Sequence, residues 1–332
     1  MRDEVSGMSE GRKRRSANFR WLLALLAAVA LGGTLWWAVG ALRDTETREA
    51  LAALQPVASS VPPDQRQRRE ALEIADHLLR EYPDSPEALF ARGVLLFRFG
   101  FNDEAVKTWK ACLKLVPDLA QAYEFLGLDA FQRGDNERAV ELLRKAVELD
   151  PQSAAAGLYL GEALNNLGRM EEAIPVLEQF LKTSPHAAEP YFQLGQAYMY
   201  LKSYDRAKEY HEAALREDPG FVQAMFGLAV ACERLGQVDA ARKHREKYAE
   251  MIARHRMAEQ KRTREGHDPA TVRESLANAY AMAAKVAAAH GNMREAREYW
   301  EKAAAIDPKA AGPDIPPASI GRPNRSAARQ EQ

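Results

Sequence analysis

The chain has 332 residues and a formal net charge of −1, from 46 Lys and Arg against 47 Asp and Glu. That length allows about two domains, and the charge balance argues against a general nucleic-acid binder, which would carry a basic excess. The 17 Pro and 20 Gly are ordinary frequencies, which excludes a collagen-like or wholly disordered chain. The cysteines, Cys112 and Cys232, lie too far apart for a zinc knuckle, a CxxC pair or a disulfide framework. Both fall on predicted buried helix stripes, where packing is the better interpretation.

The first element in the chain is an apolar run at 21–42 that contains no charged residue. As a helix it measures about 33 Å, enough to cross a hydrocarbon core of about 30 Å. Trp21 marks one end, and Trp36 and Trp37 lie near the other, where aromatic rings favour the membrane interface. The run therefore predicts one transmembrane helix that places the protein in a lipid bilayer.

The charges that flank this run predict its orientation. Residues 1–20 carry six basic side chains and residues 43–62 carry two. Because basic residues stay on the cytoplasmic side, 1–20 is a predicted cytoplasmic segment and everything after Leu42 lies outside, in the periplasm of a bacterium. The alternative is a signal peptide cleaved after Ala28-Val29-Ala30, although the apolar run continues beyond that site.

A step of 34 residues organises most of the remaining chain. Pro recurs at 83, 117, 151, 185 and 219, and Ala at 71, 105, 139, 173, 207 and 241. Gly recurs at 93, 127, 161 and 195, and a second Gly series at 100, 134, 168 and 236 has Lys202 in its missing slot. Such registered series are typical of a repeat architecture.

Each period predicts a helical hairpin, as residues 120–151 illustrate. Residues 120–133 carry one apolar stripe at helical spacing, and residues 137–149 carry a second. Gly134 separates them as a left-handed cap, and Asp150-Pro151 ends the second helix. Small residues at Gly127 and Ala139 allow the two helices to approach closely.

Departures from the step define the predicted domain limits. Residues 43–64 contain Pro56, Pro62 and Pro63 and form a predicted linker, followed by a capping helix at 65–81 that lacks a first helix. The capping helix and five repeats make up 65–253; a helical insertion covers 254–276, a last unit 277–308, and a disordered tail 309–332.

These motifs resemble the tetratricopeptide repeat (TPR) family over roughly 66–308. One copy reads Tyr191, Leu194-Gly195, Tyr198, Ala207, His211, Ala214 and Pro219, and an earlier copy reads Leu89, Arg92-Gly93, Leu96, Ala105, Trp109, Cys112 and Pro117. The resemblance implies an all-α fold, an α-solenoid of helical hairpins, here preceded by one transmembrane helix. It is specific to the fold and says little about activity.

The family also implies a ligand-facing groove along the first helices of successive units. The positions that face a ligand in such proteins map onto Phe90, Val94, Phe97, Glu124, Leu128, Phe131, Leu158, Glu162, Asn165, Asn166, Phe192, Gln196, Met199, Tyr200, Phe226, Val230 and Glu233. The Lys/Asn clamp with which some members hold a terminal carboxylate is absent. The expected ligand is an extended or helical protein segment with apolar or basic side chains, whose backbone Asn165 and Asn166 could bind. In the alternative interpretation, some of these Phe side chains pack between helices or the insertion covers them.

The sequence shows no clear motif for a catalytic, metal-binding or phosphate-binding site. The seven His have no spacing for joint metal ligation, and the glycines do not form a phosphate-binding loop. We therefore predict no enzyme activity, no catalytic or metal-binding residues and no cofactor. Residues 237–266 hold nine basic and five acidic residues, with an apolar side at Val238, Ala241, Tyr248, Ile252 and His255. That segment is either a basic platform for an anionic partner or lipid headgroup, or a helix with a solvated charged face.

The prediction for function is a membrane-anchored scaffold for protein–protein interactions, acting outside the membrane as a chaperone-like or assembly factor. One alternative is a structural module that self-associates into a homo-oligomer. Another is a non-catalytic accessory subunit of an envelope enzyme complex.

Overall fold

The computed structural model describes residues 45–60, 65–265 and 269–309. The predicted transmembrane helix 21–42, the basic segment 1–20 and nearly all of the tail 309–332 lie outside these residues. The chain divides into two compact units, 1–53 and 54–332. Of the first unit, the described part is helical at 45–52. Within the described ranges, every helix is either too short or too polar to span a bilayer.

The described part of the second unit is built from α-helices, with one 3₁₀ turn at Ala58–Ser60 and no strand. This confirms the all-α hairpin repeat. The helices are α1 (Arg66–Glu81), α2 (Pro86–Arg98), α3 (Asn102–Leu115), α4 (Ala120–Gln132), α5 (Asn136–Leu149), α6 (Ala154–Asn166), α7 (Met170–Thr183), α8 (Ala188–Tyr200), α9 (Tyr204–Glu217), α10 (Val222–Arg234), α11 (Val238–Glu265), α12 (Pro269–Ala289) and α13 (Met293–Ile306).

The turns inside the hairpins follow the second glycine series. Gly100, Gly134, Gly168 and Gly236 have φ between 72° and 81°, a region that glycine enters without strain. Lys202 occupies the same left-handed conformation with φ 58°. The turn geometry therefore persists where the glycine is missing, at the cost of Cβ strain.

The first glycine series sets the distance between the two helices of each hairpin. A Cβ on Gly127 would lie 2.6 Å from Leu143 Cγ, and one on Gly161 would lie 2.5 Å from Leu177 Cγ. Ala139 is fully buried in the same contact. Small residues at this step are therefore required by the close packing of the helices.

Residues 54–60, which fall inside the predicted linker, are instead part of the packed unit. Val57 and Ala58 are buried, and their backbone N–H groups donate to the Asp76 carboxylate at 2.9 Å. Arg92, which replaces the usual Leu of the motif, donates to Gln55 O and to Thr108 Oγ1, each at 2.5 Å. The sequence pattern missed this buried network because its partners are distant in the chain.

The structure also corrects the predicted insertion. Residues up to Glu265 continue the second helix of the fifth repeat, so that α11 has 28 residues and extends about 42 Å. The first helix of the last unit begins at Pro269 rather than 277. The predicted segment 254–276 is therefore divided between α11 and α12.

The position of the last hairpin differs from a simple continuation of the stack. Helix α12 packs on α1 and α2, at the opposite end of the array from α11. It contacts both helices, as first helices of neighbouring repeats do, and takes the place of the first helix that α1 lacks. Apolar side chains of α1 explain this docking, because Ile74 and Leu78 are buried in one cluster with Leu276 and Val286 of α12.

Polar contacts fix the docked hairpin. Glu295 of α13 accepts a hydrogen bond from Tyr82 at 3.1 Å and lies 2.6 Å from His77 Nε2. Tyr280 of α12 donates to Glu70. Burial raises the pKa of Glu295, but the hydrogen bonds from His77 and Tyr82 and the charge of His77 outweigh it, so the pKa lies below its ordinary value.

Candidate peptide-binding groove

The predicted groove residues all lie on the first helices of the five repeats, α2, α4, α6, α8 and α10. Their spacing within each helix is i, i+4 and i+7, which places them on one side of it. We call this surface the groove face. Its residues differ widely in exposure, and so does their availability to a ligand.

At the first two repeats, aromatic side chains of the groove face pack into the protein. The Phe90 ring lies 5.6 Å from the Phe125 ring, and the Phe97 ring lies 5.6 Å from buried Trp109. Trp109 in turn stacks on Phe125 at 5.0 Å. Phe90, Val94 and Phe97 thus belong largely to the core around Trp109, as the interhelix alternative anticipated.

The central part of the groove face is half-buried. Leu128 and Leu158 are each partly exposed, and the Phe131 ring packs 5.6 Å from Tyr159. Glu124 accepts a hydrogen bond from the Ser153 hydroxyl at 2.5 Å. Because Ser153 also caps α6, Glu124 is engaged in joining two repeats.

The two asparagines have partners within the protein. Asn165 Nδ2 donates to the Gln193 backbone oxygen at 2.9 Å, and Asn166 Nδ2 donates to Asn136 Oδ1 at 3.3 Å. Asn165 Oδ1 is buried and accepts no hydrogen bond from any residue in the described ranges. Nearby, burial first and the charge of Glu189 second raise the pKa of Glu162. A ligand backbone would compete with these contacts.

A cavity of about 490 Å³ opens at the last two repeats, and we call it the α11 pocket. Five groove residues brought together there are Phe192, Gln196, Met199, Phe226 and Val230. Side chains from α11 complete its wall: Tyr248, Ile252 and His255. The Phe226 ring lies 5.3 Å from the Tyr248 ring and is still 51% exposed.

The wall supplied by α11 was not among the predicted site residues. The sequence did contain a pattern that indicates this wall. Tyr248, Ile252 and His255 are spaced i, i+4 and i+7 and form an apolar side on a helix that is longer than a repeat requires. Other members of that apolar side lie elsewhere, because Val238 is 65% exposed and outside the pocket and Ala241 is buried against α10.

Behind the pocket lies a buried histidine without a hydrogen-bond partner. His211 is fully buried, and burial lowers its pKa to about 4. Neither ring nitrogen has a partner among the described residues. The ring lies between Gly195 and Gly227: a Cβ on Gly227 would be 2.4 Å from His211 Nε2. Since Gly227 also lines the pocket, the imidazole sits directly behind its surface.

The remaining groove residues lie at the exposed ends of their helices. Tyr200 is 64% exposed, and its hydroxyl lies 3.3 Å from where a Cβ on Gly168 would be. Glu233 pairs with Arg245 of α11. Tyr200, Asn166 and Glu233 are thus separate from the pocket. In the part of the chain that the structure describes, no group of three His, Cys, Asp or Glu side chains could hold a metal ion.

Comparisons with known proteins place these hairpins in context. A family model described as tetratricopeptide repeat matches residues 63–120, 91–154, 126–188 and 192–252, together more than half of the chain. No curated protein matches the sequence.

Among solved structures, a crystal structure of MamA is 29% identical with a TM-score of 0.47, covering 50% of this chain and 96% of MamA. MamA from Desulfovibrio magneticus RS-1 is 21% identical with a TM-score of 0.44, covering 57% and 96%. YrrB, described as a TPR protein with an unusual peptide-binding site, is 19% identical with a TM-score of 0.50, covering 56% and 96%. At that identity, the likeness to YrrB is one of fold.

Proposed function

We propose that this chain, which belongs to the tetratricopeptide repeat family of protein–protein interaction scaffolds, holds an apolar segment of a partner polypeptide in the α11 pocket. The observation that carries the proposal is Phe226, a large aromatic side chain that lies half exposed in a concave apolar site. Large aromatic side chains in such sites are typical anchors of protein interfaces.

The dimensions and lining of the pocket suit a peptide. Its volume of about 490 Å³ falls within the range of roughly 300–1,000 Å³ found for ligand sites. Phe192, Met199 and Ile252 offer apolar contact, while Gln196 and Gln223 provide amide groups that can bind a backbone. The expected ligand therefore inserts one or two apolar side chains and hydrogen-bonds through its main chain.

The rest of the proposed function concerns location. Residues 21–42 anchor the chain in a membrane, residues 1–20 lie in the cytoplasm, and the helical repeats work outside as a chaperone-like or assembly factor. The uncharged 21–42 run and the six basic residues before it support this placement. Alkaline phosphatase fused after residue 332 should then be active, and an inactive fusion at normal expression would contradict the orientation.

The pocket is tested by site-specific photo-crosslinking in the full-length chain. A photoreactive residue at Phe226 should yield covalent adducts with another polypeptide in the host cell. The matched control is Met293, which is 44% exposed on α13 and outside the pocket. Adducts from Phe226 that disappear with Met199→Glu support the proposal, whereas no adducts, or equal adducts from Met293, would contradict it.

TPR proteins are generally not catalytic, and the proposal needs no catalytic group. Self-association into a homo-oligomer, an accessory role in an enzyme complex and the absence of nucleic-acid binding stay predictions.

A further inference from the structure

One repeat departs from the others at one position of its first helix and at the residue that follows this helix. Asp129 stands where the other repeats have Leu95, Ala163, Ala197 and Ala231, and Arg133 stands where they have Phe99, Leu167, Leu201 and Leu235. Two apolar positions have thus become an acid and a base in the second repeat alone. Asp129 is buried and Arg133 is exposed, and a buried carboxylate is costly unless its hydrogen bonds are made.

The hydrogen bonds of this pair are incomplete. Asp129 is 5% exposed, and its Oδ2 accepts from Arg133 Nε at 2.8 Å. Arg133 also donates to Asp103 Oδ1 at 2.8 Å. Asp129 Oδ1 is buried and has no hydrogen-bond partner among the described residues. The carboxylate therefore keeps one acceptor for which the described residues supply no donor.

Asp129 borders a cleft of about 470 Å³ that is separate from the α11 pocket. The cleft lies between α3, α4 and α5, and its apolar lining comes from Val106, Leu126, Ala130 and Leu142. Its basic lining comes from Lys107 and Lys110 of α3, from Arg133 and from Arg138 of α5, and its acidic lining from Asp103, Asp129 and Asp135. An occupant would meet apolar walls, cations and the Asp129 carboxylate together.

The acidic side chains of the cleft have partners within the protein, whereas two of its lysines form no ion pair with described residues. Asp103 and Asp129 are paired with Arg133, and Asp135 accepts from the Arg138 backbone N–H at 3.2 Å. Lys107 and Lys110, one helical turn apart and exposed, form no ion pair with any residue that the structure describes. The acids are thus engaged within the protein, while two ammonium groups are available to an anionic partner.

We propose that this cleft is a second protein-binding site that takes an acidic peptide segment of a partner. Glutamate or aspartate side chains of the segment pair with Lys107 and Lys110, and a backbone N–H donates toward Asp129. Apolar side chains of the segment contact Val106 and Leu142. A phosphate group fits less well, because it brings negative charge and mainly acceptor oxygens to the Asp129 carboxylate.

The test uses the full-length protein and fluorescence anisotropy with three labelled probes. The first is an acetylated peptide of alternating Glu and Leu, and the others have Gln or Lys in place of Glu. The wild type should bind the Glu peptide about tenfold more tightly than the Gln peptide, from two ion pairs and the desolvation around them. It should bind the Lys peptide most weakly.

Three variants locate the binding. Lys107→Glu with Lys110→Glu should weaken the Glu peptide about tenfold. Lys145→Glu with Lys182→Glu, which changes the net charge equally on exposed lysines outside the cleft, should change its affinity less than twofold. Asp129→Ala introduces the residue found at this position in three other repeats, so it should fold, and it should weaken the Glu and Gln peptides alike by about threefold, because both lose the acceptor for a backbone N–H.

Several outcomes would overturn the inference. They are equal affinity for the Glu and Gln peptides, equal loss in both lysine variants, or displacement of the peptide by inorganic phosphate at matched ionic strength. The α11 pocket is tested by crosslinks from Phe226, so either site can fail without the other.

Discussion

The first and fourth repeats place different side chains at the same positions of the 34-residue step. Trp109 in the first corresponds to His211 in the fourth, and Phe125 corresponds to Gly227. At the first repeat, Trp109 stacks on Phe125 and fills the space between helices. At the fourth, the smaller His211 lies against Gly227, and the α11 pocket opens beside them.

The comparison shows that smaller side chains line the region of the pocket, whose remaining wall comes from α11. Phe97 corresponds in the same way to Met199, so three aromatic side chains are replaced by smaller ones in this region. Phe90 and Phe226 provide a second comparison, because both are Phe at the same position of the 34-residue step but differ in exposure. Phe90 packs on Phe125 of the next first helix. The helix next to Phe226 is instead α11, whose Tyr248 covers the ring only in part.

The largest expected effect contrasts these regions directly. Trp109→Ala removes the side chain on which Phe97 and Phe125 pack, and should lower the free energy of unfolding by about 3–5 kcal/mol. Phe226→Ala removes a half-exposed ring and should lower it by less than about 1 kcal/mol. Urea unfolding followed by circular dichroism measures both. Equal losses would mean that the two regions are packed alike.

The next expected effect is a pH dependence of stability, which the titratable His211 confers and the non-titratable Trp109 cannot. The pKa of His211 is about 4 in the folded protein, below its ordinary 6.5, so the unfolded chain binds more protons between these values. Stability should therefore fall as pH decreases through 6.5, by about 3 kcal/mol in total near pH 4.

His211→Leu, which introduces the residue found at Leu143 and Leu177, supplies the control. The free energy of unfolding of this variant should not show the decrease due to His211 between pH 6.5 and pH 4. The variant should retain the helical content of the wild type. A wild type and variant with parallel pH profiles would argue against a buried neutral imidazole.

A smaller effect tests whether the docked hairpin influences the pocket. Glu295→Ala removes the acceptor for Tyr82 and the partner of His77, and should weaken docking of α12 and α13 by about 1–2 kcal/mol. Hydrogen exchange should then accelerate in α12, α13 and α1 but not around Phe226. Faster exchange at the pocket would mean that the two ends of the array are coupled through α11.

The smallest effect concerns the turns of the same two repeats, where Gly100 corresponds to Lys202. Lys202→Gly should stabilise the protein by about 0.5–1 kcal/mol, because glycine adopts a positive φ without Cβ strain. Gly100→Ala should destabilise it by about 1 kcal/mol for the same reason. Thermal unfolding compares the pair, and changes of the same sign would contradict the shared turn geometry.

The candidate site was predictable only in part. The helical face that carries Phe192, Met199 and Phe226 follows from the step, because the periodicity fixes which positions share a side of a helix. The step does not predict which of those positions remain exposed, because Phe90 and Phe226 are the same residue type at the same position of the step. Their exposure depends on the next helix in space, and for Phe226 that helix is the distal part of α11.

The sequence by itself determined the hairpins. Gly at most turns, small residues at the helix contacts and Pro at most unit ends act within one or two turns of helix, where local geometry decides. Only the tertiary structure decided that α12 completes α1, that Asp76 and Arg92 hold residues 54–60, and that α11 walls a pocket. These contacts join apolar and charged residues that are far apart in the chain. The sequence pattern shows that a helix has an apolar face but does not specify which distant helix packs against it.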